Sequence, residues 1–157
     1  MIQRIQSVYL AIAIILLSFV TVGTTLFSFV NDANRFTFSS YGITKYDLEG
    51  TYVSQTNFPV FIGLIALILL CFICLMSYKN LERQFKLGRT IFYLYFLLLV
   101  TILVLSFFGD SLIDAKTNTR ELGLGFYLFV AGFPLIFMAN TGIKRDKNLL
   151  KSLDRLR

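Results

Sequence analysis

Histidine is absent from this sequence, and so is tryptophan. Without histidine the chain lacks the one side chain that titrates unaided near neutral pH, and with it the commonest general base and metal ligand. Cysteine is nearly absent too: Cys71 and Cys74 stand alone, as "CFIC", inside apolar sequence. A C-x-x-C pair does redox chemistry only where a thiolate is stabilised and reachable. Leu, Ile and Phe neighbours offer neither, so the pair is read as small apolar packing. No grouping of Cys and carboxylates has the spacing of a metal site.

Charge is the third shortage. Charged residues make up 15% of the chain, against about a quarter in a soluble domain. Four windows, 5–31, 51–78, 90–109 and 122–143, hold no Asp, Glu, Lys or Arg. Each can supply the roughly 20 apolar residues that cross a bilayer as a helix. The expected fold class is therefore an all-α membrane protein. Residues 1–157 form a single four-transmembrane-helix bundle, with spans of about 7–30, 58–78, 90–108 and 123–143. The first stretch is read as a retained helix and not as a signal peptide. Its positive flank is only the amino terminus and Arg4, its apolar run outlasts a usual signal core, and no A-x-A pattern follows.

The same shortage bears on function. Ion and proton transporters keep ionisable groups within the membrane, because a charge there is costly and must serve a purpose. The four span interiors have none, which argues against a proton-coupled transporter or pump and leaves a passive pore built with partners open. Asp110, Asp114 and Glu121 fall in a short polar loop and are read as solvated charges, not as an acid–base pair. No catalytic residue, cofactor or metal ligand is assigned, and the chain is read as not an enzyme.

The charges that are present are arranged unevenly. Eleven Lys and Arg fall on one side of the expected spans (Arg4, the turn from Lys79 to Arg89, and the tail from Lys144 onward) and four on the other, Arg35, Lys45, Lys116 and Arg120. The bias places both termini in the cytoplasm. On the opposite side, residues 31–57 form the one sizeable loop. Its "RFTFSSYG" and "GTYVSQ" alternate aromatic and polar residues around turn signals, which predicts a small β-hairpin.

Two helix faces are lined with small residues. Span one presents Ser7, Ala11, Ser18, Thr21, Thr25 and Ser28 at heptad-like spacing, and span four presents Gly125, Gly132 and Ala139. Small residues let helices approach closely in a membrane. These faces either pack within the bundle, dock another membrane protein or line a lipid-sized crevice. Pro134 in span four removes a backbone hydrogen bond and predicts a kink.

The tail, "NTGIKRDKNLLKSLDRLR", carries six Lys or Arg against Asp146 and Asp154. Leu149, Leu150, Leu153 and Leu156 form a helical stripe, so a basic amphipathic cytoplasmic helix is expected. Such a helix would lie along anionic headgroups through Arg4, Lys144, Arg145, Lys147, Lys151, Arg155 and Arg157. Its "SLDRLR" end is expected to contact a protein. The tail has no aromatic residue to stack on a base, which argues against nucleic acid.

"MIQRIQSVYL" at the start, "GLGFYLFVAGFPLIFMAN" in span four and "ANTGIKRDKNLLKSLDRLR" at the finish resemble an uncharacterised family. Its members are small four-pass membrane proteins of Bacteroidota with a domain of unknown function. The resemblance implies an inner-membrane protein with both ends cytoplasmic, and carries no activity to transfer. Three functions then compete. The first is a non-enzymatic accessory or scaffold subunit of a larger inner-membrane complex, with membrane lipids and integral-membrane proteins as partners. The second is a lipid- or small-ligand-binding protein whose layout resembles that of claudins, although the loop tryptophan and paired outer cysteines of that group are missing. The third is a transporter or enzyme of an unrecognised kind.

Overall fold

Buried residues recur in alternating steps of three and four along each long helix, the spacing that turns one stripe of a helix toward its neighbours. The computed structural model describes residues 3–31, 34–47, 50–113 and 119–154. Helix α1 (Gln3–Thr21) buries Gln6, Leu10, Ala13, Leu17 and Val20. Helix α2 (Val60–Met76) buries Val60, Leu64, Leu67, Cys71 and Cys74. A single 3-10 turn, Ser77–Lys79, leads into α3 (Leu81–Ile113), whose stripe includes Gln84, Ile91, Tyr95 and Ile102. Helix α4 (Leu124–Asp154) buries Phe129, Ile136, Ala139, Ile143 and Asp146. The helices close a ring in which α1 lies between α4 and α2, and α3 between α2 and α4. The contact of α1 with α4 is the most extensive. It is antiparallel: Gln6 meets Asp146 at one end, and Thr25, just past α1, meets Gly125 at the other.

Halfway along the ring, Tyr95 of α3 stacks on Phe129 at 4.7 Å and donates its hydroxyl proton to the Phe129 carbonyl at 2.7 Å. Pro134, one turn further on, has no N–H for the preceding turn of α4. Tyr95 therefore supplies a polar crosslink to α4 where the helix's own ladder is interrupted. A Cβ on Gly132 would overlap the Tyr95 hydroxyl. The glycine is the space the phenol occupies.

At the other end of α1 the chain turns into a sheet. Strands β1 (Phe27–Val30), β2 (Asn34–Ser39), β3 (Gly42–Asp47), β4 (Tyr52–Asn57) and β5 (Thr119–Leu122) form one antiparallel sheet in the order β4-β3-β2-β1-β5. The ladder rows divide its faces by chemistry, since residues directly opposite share a face. Leu122, Phe27, Phe38 and Ile43 make one apolar row, and Phe29 pairs with Phe36 in the next. Phe27 and Phe38 stack at 4.5 Å, and the Phe29 ring lies against Gly109 near the end of α3. The opposite face carries the polar row Glu121, Ser28, Thr37, Thr44 and Gln55.

The turn between β2 and β3 is driven into the ends of two helices. Ser40, wholly buried, donates its hydroxyl proton to the Thr21 carbonyl at the end of α1, at 3.1 Å. Its own carbonyl accepts from Phe61 N–H at the start of α2, at 2.9 Å. Helix ends leave such groups without intrahelical partners, and one residue satisfies one of them on each helix.

The all-α expectation is corrected by this sheet, which is too large to be a loop ornament. Helix α1 stops at Thr21, and Gly23 turns the chain with φ +102°. The phenylalanines of 27–30 therefore belong to a strand and not to a first span of 7–30. The small hairpin expected from 35–42 and 50–55 is replaced by a meander: the two stretches supply β2 and β4, β3 pairs between them, and the second polar loop contributes β5. The expected spans of 58–78, 90–108 and 123–143 overlap α2, α3 and α4 with other bounds: α2 is shorter, and α3 and α4 run well beyond them. Among the described residues three helices, over Val60–Lys79, Leu81–Gly109 and Leu124–Leu149, are long and apolar enough to cross a membrane. The apolar part of α1, Ile5–Thr21, is shorter, about 26 Å by helical rise.

Gly132→Ala is expected to cost about 1–3 kcal/mol by forcing Tyr95 aside. Tyr95→Phe alone loses about 1 kcal/mol with its hydrogen bond. Combined, the two should destabilise less than the sum of the singles, because the phenylalanine leaves room for the methyl group. Thermal unfolding of the four proteins in detergent checks this; strict additivity would refute it.

Candidate functional site

The small-residue faces separate once the chain is folded. Ser18 is exposed and returns its hydroxyl proton to Ile14 O at 2.8 Å, and half-buried Thr21 does the same to Leu17 O at 2.8 Å. Thr25 lies beyond the helix and offers its carbonyl to Gly125 N–H at 2.9 Å. Ser28 is in β1, where its hydroxyl reaches Glu121 Oε2 at 3.4 Å. These four therefore do not form a helix face. Helix α1 instead packs through the large apolar stripe that includes Leu10 and Leu17. In α4, by contrast, Gly125, Gly132 and Ala139 share the buried stripe: Gly125 beneath Thr24 and Thr25, Gly132 beneath Tyr95, Ala139 in the core.

Groups with chemical potential are placed for structure. Glu121 pairs with Arg35 at 2.8 Å across the sheet. The side chains of Asp110 and Asp114 lie outside the described residues. Cys71 and Cys74 are wholly buried in the α2 stripe, with the Cys74 thiol directed at Gln84 O at 3.7 Å. Among the described residues no three Cys, Asp or Glu side chains gather to hold a metal.

The end of the bundle opposite the sheet holds a denser polar cluster. Gln6 Nε2 donates to Asp146 Oδ2 at 2.6 Å, joining the start of α1 to the far part of α4. Asp146 is only 7% exposed, and its Oδ1 has no hydrogen-bond partner among the described residues. Beside it Lys147 pairs with Glu82 at 3.3 Å and lies 5.3 Å from the Phe85 ring centre. Arg89 covers the same ring at 4.9 Å. Lys144 and Arg145 are exposed. Arg4 and Lys151 fall on α1 and α4, but their side chains, and Arg155 and Arg157 altogether, lie outside the described residues.

This geometry corrects the picture of a tail lying on the membrane. Helix α4 continues without a break from the apolar stretch through Asp154, so its basic end extends the bundle axis. Sequence reasoning counted Asp146 as one more tail charge. The missed signal was its place in the heptad series Ala139, Ile143, Asp146, which continues the buried stripe one step past the span.

The sheet presents the other candidate surface. Among the described residues strand β4 pairs only with β3, and it is exposed at all six positions, Tyr52 at 62% and Val53 at 50%. Its outer edge is a row of backbone groups available for pairing.

The chain belongs to the family described as "Domain of unknown function (DUF4293)", which it matches over residues 2–156. No curated protein matches it. The family description assigns no activity, so no residue role is carried over from it.

Gln6→Ala should leave both Asp146 carboxylate oxygens unpartnered in a buried site, at about 1–3 kcal/mol. Glu82→Gln should cost only a few tenths, about 0.5 kcal/mol, because its pair with Lys147 is largely solvated on the Glu82 side. Tryptic cleavage after Lys144 and Arg145 should accordingly speed up in Gln6→Ala and hardly change in Glu82→Gln. Equal protection in all three proteins would refute the clamp.

Proposed function

We propose that this chain is a non-enzymatic accessory or scaffold subunit of a larger assembly in a bacterial inner membrane. It crosses four times, with both termini in the cytoplasm and the sheet outside. The observation that carries the reading is the five-stranded sheet, tied to the helix ends through Ser40 and open along the fully exposed strand β4. A rigid sheet with an unpaired edge is suited to receive an extended segment of another protein. Two further features support it. Among the described residues the buried stripes are largely apolar through the middle of the bundle, with Tyr95 hydrogen-bonded across it and Ser106 the other buried hydroxyl. Lys79, Arg83, Lys86, Arg89, Lys144, Arg145 and Lys147 gather at the end away from the sheet, as the bias of cytoplasmic loops toward Lys and Arg requires. Although α1 is short, its antiparallel contact along α4 carries it through the same layer.

Alkaline phosphatase fused at Gly50 should be active and the same enzyme fused at the carboxyl terminus inactive; the reverse pattern would overturn the orientation. Gentle-detergent purification should bring down stoichiometric membrane proteins. Val53→Lys on the open strand and truncation after Lys147 should each reduce that capture severalfold, with insertion and melting temperature retained. A monodisperse monomer alone, before and after crosslinking in cells, would overturn the subunit reading.

A further inference from the structure

Between α3 and α4, at the basic end of the bundle, runs an open groove of about 330 Å³. Its two walls come from helix positions one turn apart: Phe85, Arg89 and Phe92 on α3, and Phe137, Thr141 and Lys144 on α4. The groove is graded along its length. Toward the middle of the bundle it is aromatic, with the Phe92 ring 6.0 Å from Phe137 and 5.2 Å from Phe133. Toward the basic end it is cationic, between Arg89 and Lys144.

Neither cation has an ion-pair partner among the described residues. Lys147, on the next turn, differs in this respect, being paired with Glu82. Arg89 is instead steadied by stacking on Phe85, its guanidinium carbon 4.9 Å from the ring centre. That contact engages the face of the guanidinium, and Arg89 itself is exposed. Tyr93, exposed on the same wall, adds a phenol at the level where such side chains mark a membrane interface. Arg89 directly precedes the charge-free window 90–109, and Lys144 directly follows the window 122–143. Both cations thus sit at the boundary between the apolar spans and water.

An uncompensated pair of cations at one end and an aromatic trough at the other match an anionic amphiphile oriented along the helices. We propose that this groove binds one anionic phospholipid. Its phosphate lies between Arg89 and Lys144, and the start of an acyl chain runs over Phe92 and Phe137. The volume suits a phosphoglycerol headgroup, and pockets of this size hold small ligands. Asn140 and Thr141 add polar groups to the α4 side of the groove. The site depends on the chain lying in a membrane but not on its acting as a subunit, so a failed partner capture leaves it untouched.

Native mass spectrometry of the full chain, released from micelles containing equal amounts of phosphatidylglycerol and phosphatidylcholine, tests the proposal. The wild-type protein should retain one phosphatidylglycerol in preference to phosphatidylcholine. Arg89→Gln with Lys144→Gln should lower that retention about tenfold, each contact to the headgroup contributing comparably. Arg89→Lys with Lys144→Arg should keep most of it. Lys79→Gln with Arg83→Gln, which removes as much charge from the neighbouring turn, should leave it unchanged. The double glutamine variant alters only exposed side chains, and an unchanged melting temperature verifies its fold. Equal retention of both lipids by the wild type would overturn the proposal. So would retention that survives the Arg89 and Lys144 changes, or an equal loss in the Lys79 and Arg83 control. Displacement of the lipid by inorganic phosphate alone would overturn it as well, by making the site one for a free anion.

Discussion

The antiparallel contact between α1 and α4 is the constraint from which the rest of the molecule follows. Just beyond α1 the two backbones hydrogen-bond directly: Gly125 N–H donates to the Thr25 carbonyl and Gly123 N–H to the Leu26 carbonyl, both at 2.9 Å. A Cβ at either glycine would overlap the facing backbone or the threonine side chains. Because β1 follows α1 within a few residues and β5 immediately precedes α4, the helix pair passes directly into a strand pair. The sheet is thereby built as a continuation of the bundle, and its strand order grows outward from that seam.

This continuity gives the protein two ends of different character joined by a stiff middle. At one end the hydroxyl of Ser40 and the phenylalanine rows hold the sheet on the helices, leaving β4 open. At the other, Gln6 and Asp146 tie the first helix to the last beyond the apolar stretch, and Glu82 and Lys147 bring in α3. Tyr95, inserted over Gly132, crosslinks α3 to α4 beside the interruption made by Pro134. Between the two ends, the described middle of the bundle is packed largely with apolar side chains at steps suited to helix contact.

Several of these features were legible in the residues. The charge-free windows located α2, α3 and the first two-thirds of α4, and the alternation of Phe36 and Phe38 marked β2. The heptad line of Gly125, Gly132 and Ala139 was read with its alternatives open, and it lies inside the bundle. The hydroxyl face of the first span was a misreading with a clear cause. Ser18 and Thr21 satisfy their own helix carbonyls, and Thr25 and Ser28 are not helical. Strand β5 could not have been seen: "TREL" has no alternation worth the name and is a strand because β1 lies beside it. Asp146 looked like a solvent-facing tail charge until the neighbouring helix supplied Gln6.

By itself, the sequence determined which segments are suited to lipid, which side of them is basic, and to which family the chain belongs. Hydropathy and charge are properties of residues and can be summed along the chain. Where α1 ends, how five strands join, and that Asp146 is buried were decided only by the tertiary structure. Each of those depends on hydrogen bonds between segments about a hundred residues apart, such as Gln6 with Asp146 and Leu26 with Gly123. A backbone group chooses its partner by proximity in space, which no window along the chain records.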